Sequence, residues 1–124
     1  MRRNPGFTLI ELLVVMVIIG SLLAVATPRY FRSLERSKEV VLAQDLAVLR
    51  DAIDQYYGDR GYYPNALEEL AIERYLRTVP VDPITRSAES WVVVPSRDSE
   101  SPGIIDVHSG SNAVGSNGVA YAVW

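Results

Sequence analysis

Cysteine is absent from the chain, and histidine occurs once, at His108. Without cysteine no disulfide can staple the fold. A single histidine with no thiol excludes a closed Cys/His zinc site and a cysteine–histidine nucleophile. No motif joins that histidine to a nucleophilic serine, so His108 reads as an exposed residue at a strand end. Basic residues are also scarce. Twelve Lys and Arg stand against fifteen Asp and Glu, a net charge of −3, which disfavours nucleic acid as the main partner. No internal repeat is present. One long stretch lacks charge almost entirely: residues 7–27 carry a single ionisable side chain, Glu11.

About 20 mainly apolar residues cross a bilayer as a helix, so this run is long enough to span one. A lone carboxylate near the bilayer centre costs roughly 2.5–3.5 kcal/mol on insertion scales. Glu11 lies toward the N-terminal end, where the cost is smaller, and nothing else in the span offers it a partner. Its partner is therefore expected from another molecule.

Residues 5–12, Pro-Gly-Phe-Thr-Leu-Ile-Glu-Leu, follow the short basic stretch Met1-Arg2-Arg3-Asn4. This octet resembles the type III signal of type IV pilins and type II secretion pseudopilins. The resemblance implies cleavage after Gly6 by a membrane prepilin peptidase, which also N-methylates the new N-terminal residue, Phe7. It further implies that Glu11 meets the Phe7 amine of a neighbouring subunit during filament assembly. In an ordinary secretory signal the cut follows the apolar segment; here it precedes it, so the helix stays attached. Loss of Arg2 and Arg3 takes the side-chain charge from −3 to −5. Arg29, Arg32, Arg36 and Lys38 flank the far side of the span, so the positive-inside rule leaves the orientation open. The resemblance implies a single-pass inner-membrane protein with a cytoplasmic N-terminus and a periplasmic C-terminal domain. The implied organisation is a leader at 1–6, a transmembrane and assembly half-helix at 7–28, and a head at 29–124.

Two residues weaken the helix. Pro28 removes a backbone donor and crowds the preceding turn, which kinks a helix, and Gly20 costs about 1 kcal/mol against alanine in a helix interior. The resemblance implies loosening between them in an assembled filament; a plain bend is the alternative. From Phe31 the pattern becomes amphipathic. Leu42, Leu46, Leu49, Ile53 and Tyr56 share one helical face, a stripe suited to packing on a sheet. Gly58 and Asp59-Arg60-Gly61 end the helix. Counted from Phe7 to Tyr57, it has about 51 residues and a length of roughly 76 Å.

Asn65 with Glu68 three residues on looks like the start of a second helix reaching about Arg74 and burying Leu67, Leu70 and Ile72. The neighbouring acids Glu68 and Glu69 suit the helix dipole better than acid–base chemistry. Pro80 and Pro83 make the following segment irregular. Tyrosines 56, 57, 62 and 63 read as packing around the helix end. Residues 91–94, 104–108 and 119–124 are rich in β-branched and aromatic side chains, which predicts three antiparallel strands. The expected fold is α+β: a pilin-like ladle, with one long N-terminal helix against a short helix and a small three-stranded sheet.

The resemblance narrows over the rest of the chain. Asp54-Gln55-Tyr56-Tyr57, Gly61-Tyr62-Tyr63-Pro64, Val79-Pro80-Val81-Asp82-Pro83, Ile105-Asp106-Val107-His108-Ser109 and the final Trp124 are similar in order and spacing to the type II secretion major pseudopilins. This implies a non-enzymatic subunit of a helical homo-oligomeric filament that helps drive exoprotein export. The implied partners are the prepilin peptidase, minor pseudopilins and an inner-membrane assembly platform. A type IV pilus subunit, major or minor, is the alternative, and a membrane-tethered binding module that does not polymerise is a third reading. The family's major pseudopilin holds calcium in the loop before its last strand. Here that loop, residues 109–118, has no carboxylate, whereas calcium favours them. No calcium and no other cofactor is expected, and Asn117-Gly118 reads instead as a turn needing positive φ.

Overall fold

The computed structural model describes residues 5–124. Helix α1 runs from Leu9 to Arg60 over 52 residues, and its interior includes Pro28. It starts two residues later than the apolar run suggests, because Thr8 caps it. It also continues past Gly58 and stops at Gly61. That glycine adopts φ +76° while its N–H still reaches the Tyr57 carbonyl at 2.8 Å, the left-handed ending that glycine allows. By contacts the chain divides into two compact units, Met1–Glu35 and Arg36–Trp124.

In the first unit every described side chain is exposed. Two hydroxyls fold back along the helix: Ser21 Oγ donates to the Val17 carbonyl at 2.8 Å and Thr27 Oγ1 to the Leu23 carbonyl at 2.6 Å. Such back-bonds let a polar side chain sit in an apolar helix without an outside partner. α1 is long and apolar enough to cross a membrane.

The second unit has a core. Leu42, Leu46, Leu49, Ile53 and Tyr56, joined by Ala52, form the buried stripe of α1. They meet Leu67, Leu70, Leu76, Trp91, Ile104, Val107 and Tyr121. Trp91 satisfies its buried ring N–H on the Pro80 carbonyl at 2.8 Å, as buried indoles require.

Helix α2, Leu67–Ile72, is shorter than the sequence suggests. Arg74 turns left-handed at φ 64°, its N–H bonds the Ala71 carbonyl, and the Tyr75 N–H bonds the Leu70 carbonyl. That pair closes a Schellman cap with arginine where glycine is usual. The cut leaves Ile72 outside, 74% exposed rather than buried. The N-terminal cap also differs from the expectation. Ala66, not Asn65, holds the cap position without a side-chain bond, and Glu69, not Glu68, reaches back to the Asn65 N–H.

Strands β1 (Val92–Pro95) and β2 (Ile104–His108) pair antiparallel, with a register shift between Val94 and Pro95. Val94 faces Asp106 and Pro95 faces Ile104, so Ile105 is the extra residue of a bulge. A bulge resets the two-residue alternation, which is how Ile104 and Val107, three apart, both enter the core.

Among the described residues the sheet has two strands, not three. Residues 119–124 make an isolated bridge, Val114 to Ala120, and then a 3-10 turn at Tyr121–Val123. The donors that a third ladder would use go elsewhere: Tyr121 N–H to the Ala113 carbonyl, Val123 N–H to Ala120 and Trp124 N–H to Tyr121. The tight turn also sets the Tyr121 and Trp124 rings 5.1 Å apart, edge to face, because side chains three apart eclipse in a 3-10 helix.

Candidate functional site

The residues singled out at the N-terminus lie together at the open end of α1. Phe7 is 91% exposed, and with Ile10, Glu11, Val14 and Val15 it lines a shallow apolar recess. Glu11 is the sole acid of that recess and has an intrachain partner after all. Its carboxylate faces the Thr8 N–H at 3.4 Å, while Thr8 Oγ1 accepts the Glu11 N–H at 3.3 Å. The two residues form a reciprocal capping box, which meets helix-end donors that no helical carbonyl reaches. The Thr-x-x-Glu spacing before an apolar run carried that signal, and it was readable. A Cβ added at Gly6 or at Gly20 would meet nothing within 4 Å. Packing within this chain therefore does not require glycine at either position. Met1, Arg2, Arg3 and Asn4 of the expected leader lie outside the described residues.

The head carries three polar clusters, each with a partner far along the chain. Arg50 of α1 donates through Nε to Asp106 at 2.8 Å and through Nη2 to the carbonyls of Val107 and Trp124. His108 Nδ1 lies 2.9 Å from the same Trp124 oxygen, and its side chain is only 27% exposed. The expectation of an exposed histidine is therefore corrected: the chain's last turn folds over it. Burial pushes the Asp106 carboxyl up, but the Val107 N–H and the Arg50 guanidinium outweigh burial and hold it below the usual range.

Asp82 is fully buried. One oxygen accepts the N–H groups of Ile84 and Thr85, and the other the Ser109 hydroxyl. Asp45 stands near enough that burial, with the Asp82 charge, raises its own carboxyl. The third cluster centres on Glu39, which accepts the Ser116 N–H and hydroxyl, each at 2.6 Å, and the Tyr121 hydroxyl at 2.9 Å.

The four expected tyrosines pack as read. Tyr57 stacks on Tyr63 at 4.3 Å, and Tyr56 lies against Tyr62 and Tyr75. Burial and the neighbouring Glu69 push the Tyr56 hydroxyl up to about 12. None of these groups faces a cavity with an unsatisfied buried atom. The clusters bind the head to itself.

The exposed capped helix belongs to a known class of N-terminus: residues 1–27 match the prokaryotic N-terminal methylation motif. The rest of the chain narrows the class. A type II secretion system core protein G of Pseudomonas aeruginosa is 32% identical over 66% of this chain and 69% of its own length. That of Dickeya chrysanthemi is 31% identical over 87% of this chain and 77% of its own length. A type IV major pilin of Myxococcus xanthus is 37% identical over 55% of this chain, but only 31% of its own length. No solved structure matches the chain. The chain belongs to the type II secretion core protein G family, the pseudopilins.

Proposed function

We propose that the chain is a structural subunit of a type II secretion pseudopilus, with no catalytic role. Its leader, residues 1–6, is removed after Gly6, and Phe7 is then N-methylated. The half-helix at 7–28 holds the subunit in the inner membrane, N-terminus cytoplasmic, with the pilin-like head at 29–124 in the periplasm. Copies then pack through α1 into a helical filament that helps drive exoprotein export. Minor pseudopilins and an inner-membrane assembly platform are the further partners.

One observation carries this reading: an apolar helical surface, exposed throughout residues 9–31, in a chain that matches core protein G relatives through most of its head. Such a surface requires lipid or other helices as cover. In a filament Glu11 trades the Thr8 N–H for the Phe7 amine of a neighbour. Opposite charges in a low-dielectric setting attract strongly, whereas either alone is penalised. Gly20 and Pro28 are the places where α1 loosens to let copies pack.

The Myxococcus pilin match keeps a type IV pilus subunit as the second reading. A deletion strain separates the two. Loss of exoprotein secretion with surface motility intact is the expected outcome; lost motility with normal secretion overturns the assignment.

A further inference from the structure

Family resemblance implies a calcium ion in the loop at 109–118, and the side chains around that loop do not suit one. Calcium takes six to eight oxygen ligands, carboxylates among them. The loop has none, and no cluster of three or more metal-binding side chains occurs among the described residues. Two carboxylates reach the loop from outside it: buried Asp82, which takes the Ser109 hydroxyl at its near end, and at the far half Glu39, from α1. What faces its oxygens is the Ser116 N–H, the Ser116 hydroxyl and the Tyr121 hydroxyl. An inward backbone N–H repels a cation and suits an anion. Two of the loop's carbonyls accept backbone donors as well, Ala113 from the Tyr121 N–H and Gly115 from the Gly118 N–H, while the Gly115 N–H donates to the Val119 carbonyl.

We propose that Glu39 orders this loop in place of a metal ion, holding it to the long helix by charge-assisted hydrogen bonds and making the head independent of calcium. The opposite end of the loop is tied separately. Ser109 bonds buried Asp82, the Ser111 N–H bonds Ser109 Oγ, and the Ala113 N–H bonds Ser111 Oγ. Glu39 therefore governs the far half, around the turn at Gly118, whose φ of +79° meets the positive-φ expectation at the glycine alone. The Ser116 hydroxyl and N–H hold the Glu39 carboxyl below its ordinary value, assisted by Tyr121 and by Arg36, so the charge stays in place at neutral pH.

Hydrogen exchange on the full chain in detergent micelles tests this, with and without millimolar calcium or a chelator. Glu39→Gln is expected to speed exchange of the Ser116 and Gly118 amides about tenfold or more, the scale of a lost hydrogen bond to a charged group. The Val107 amide keeps its protection, showing that the head is folded. Ser116→Ala retains the N–H and gives a smaller rise at the same amides, and it serves alone if Glu39→Gln does not fold. Calcium and chelator leave the wild-type loop unchanged. Protection that rises with calcium, or a loop indifferent to both substitutions, overturns the proposal. Exchange is read on isolated subunits, so the outcome stands whether or not the chain polymerises.

Discussion

The two units of the chain solve opposite problems with the same helix. Along Arg36–Trp124, α1 turns a stripe of leucines, Ile53 and Tyr56 into a closed core. Along residues 9–27 it presents apolar side chains on every side and covers none of them. A helix hydrophobic all round is a buried or membrane helix, whereas a striped one needs a single partner surface. The head's stability is therefore written into one molecule, and the N-terminal unit's only into a molecule with its surroundings. Substitutions in the two units are expected to fail in different assays.

The largest difference is expected at Glu11. Glu11→Ala removes the only acid of the span and one half of the capping box with Thr8. Filament yield, scored by electron microscopy of sheared cells, is predicted to drop to background. Leader removal and membrane insertion continue, and the head melts where the wild type melts. Normal filaments from this variant would break the pairing of Glu11 with a neighbour's amine.

Ile53→Ala is the converse. Its side chain is fully buried, and large-to-small changes at such sites cost about 2–5 kcal/mol, a large part of a small domain's stability. Denaturant unfolding of the full chain in detergent, followed by the combined fluorescence of Trp91 and Trp124, should show that loss. Val17→Ala, at a position 67% exposed in the single chain, should leave the same curve in place. Equal shifts from both substitutions would mean that the units do not divide as described.

How much of this was legible in the sequence depends on how far each interaction reaches. The stripe of Leu42, Leu46, Leu49, Ile53 and Tyr56 shows in its period, because helical neighbours lie three and four residues apart. The order of elements, the irregular stretch through Pro80 and Pro83, and the Gly6-Phe7 to Glu11 motif were equally local. Glu11's bond to Thr8 was local too, but an acid in an apolar run drew the reading outward to another molecule. The third strand failed for a physical reason. Residues 119–124 have strand composition, yet strand preference depends on context, and the Tyr121 N–H found the Ala113 carbonyl first. Glu39 and Arg50 were invisible. Their partners lie 77–82 and 56–74 residues away, and no short window holds both ends.

The smallest expected effect concerns Asp106, and it tests whether the head's polar clusters add to its apolar core. Asp106 and Arg50 are each more than a third exposed, so solvent screens the pair, and exposed pairs contribute about 0.2–1 kcal/mol. Asp106→Asn should therefore lower stability at neutral pH by no more than that. The pH dependence carries the sign. A carboxyl held below its ordinary value in the folded head binds its proton less readily there than in the unfolded chain. Its contribution is complete above the ordinary aspartate value and disappears as pH falls through the lowered one. The gap between wild type and Asp106→Asn should therefore close on acidification, while the deficit of Ile53→Ala, which rests on packing, persists. A gap that stays constant into acid would show that Arg50 and His108 hold the last turn by shape, and that the Asp106 charge contributes nothing.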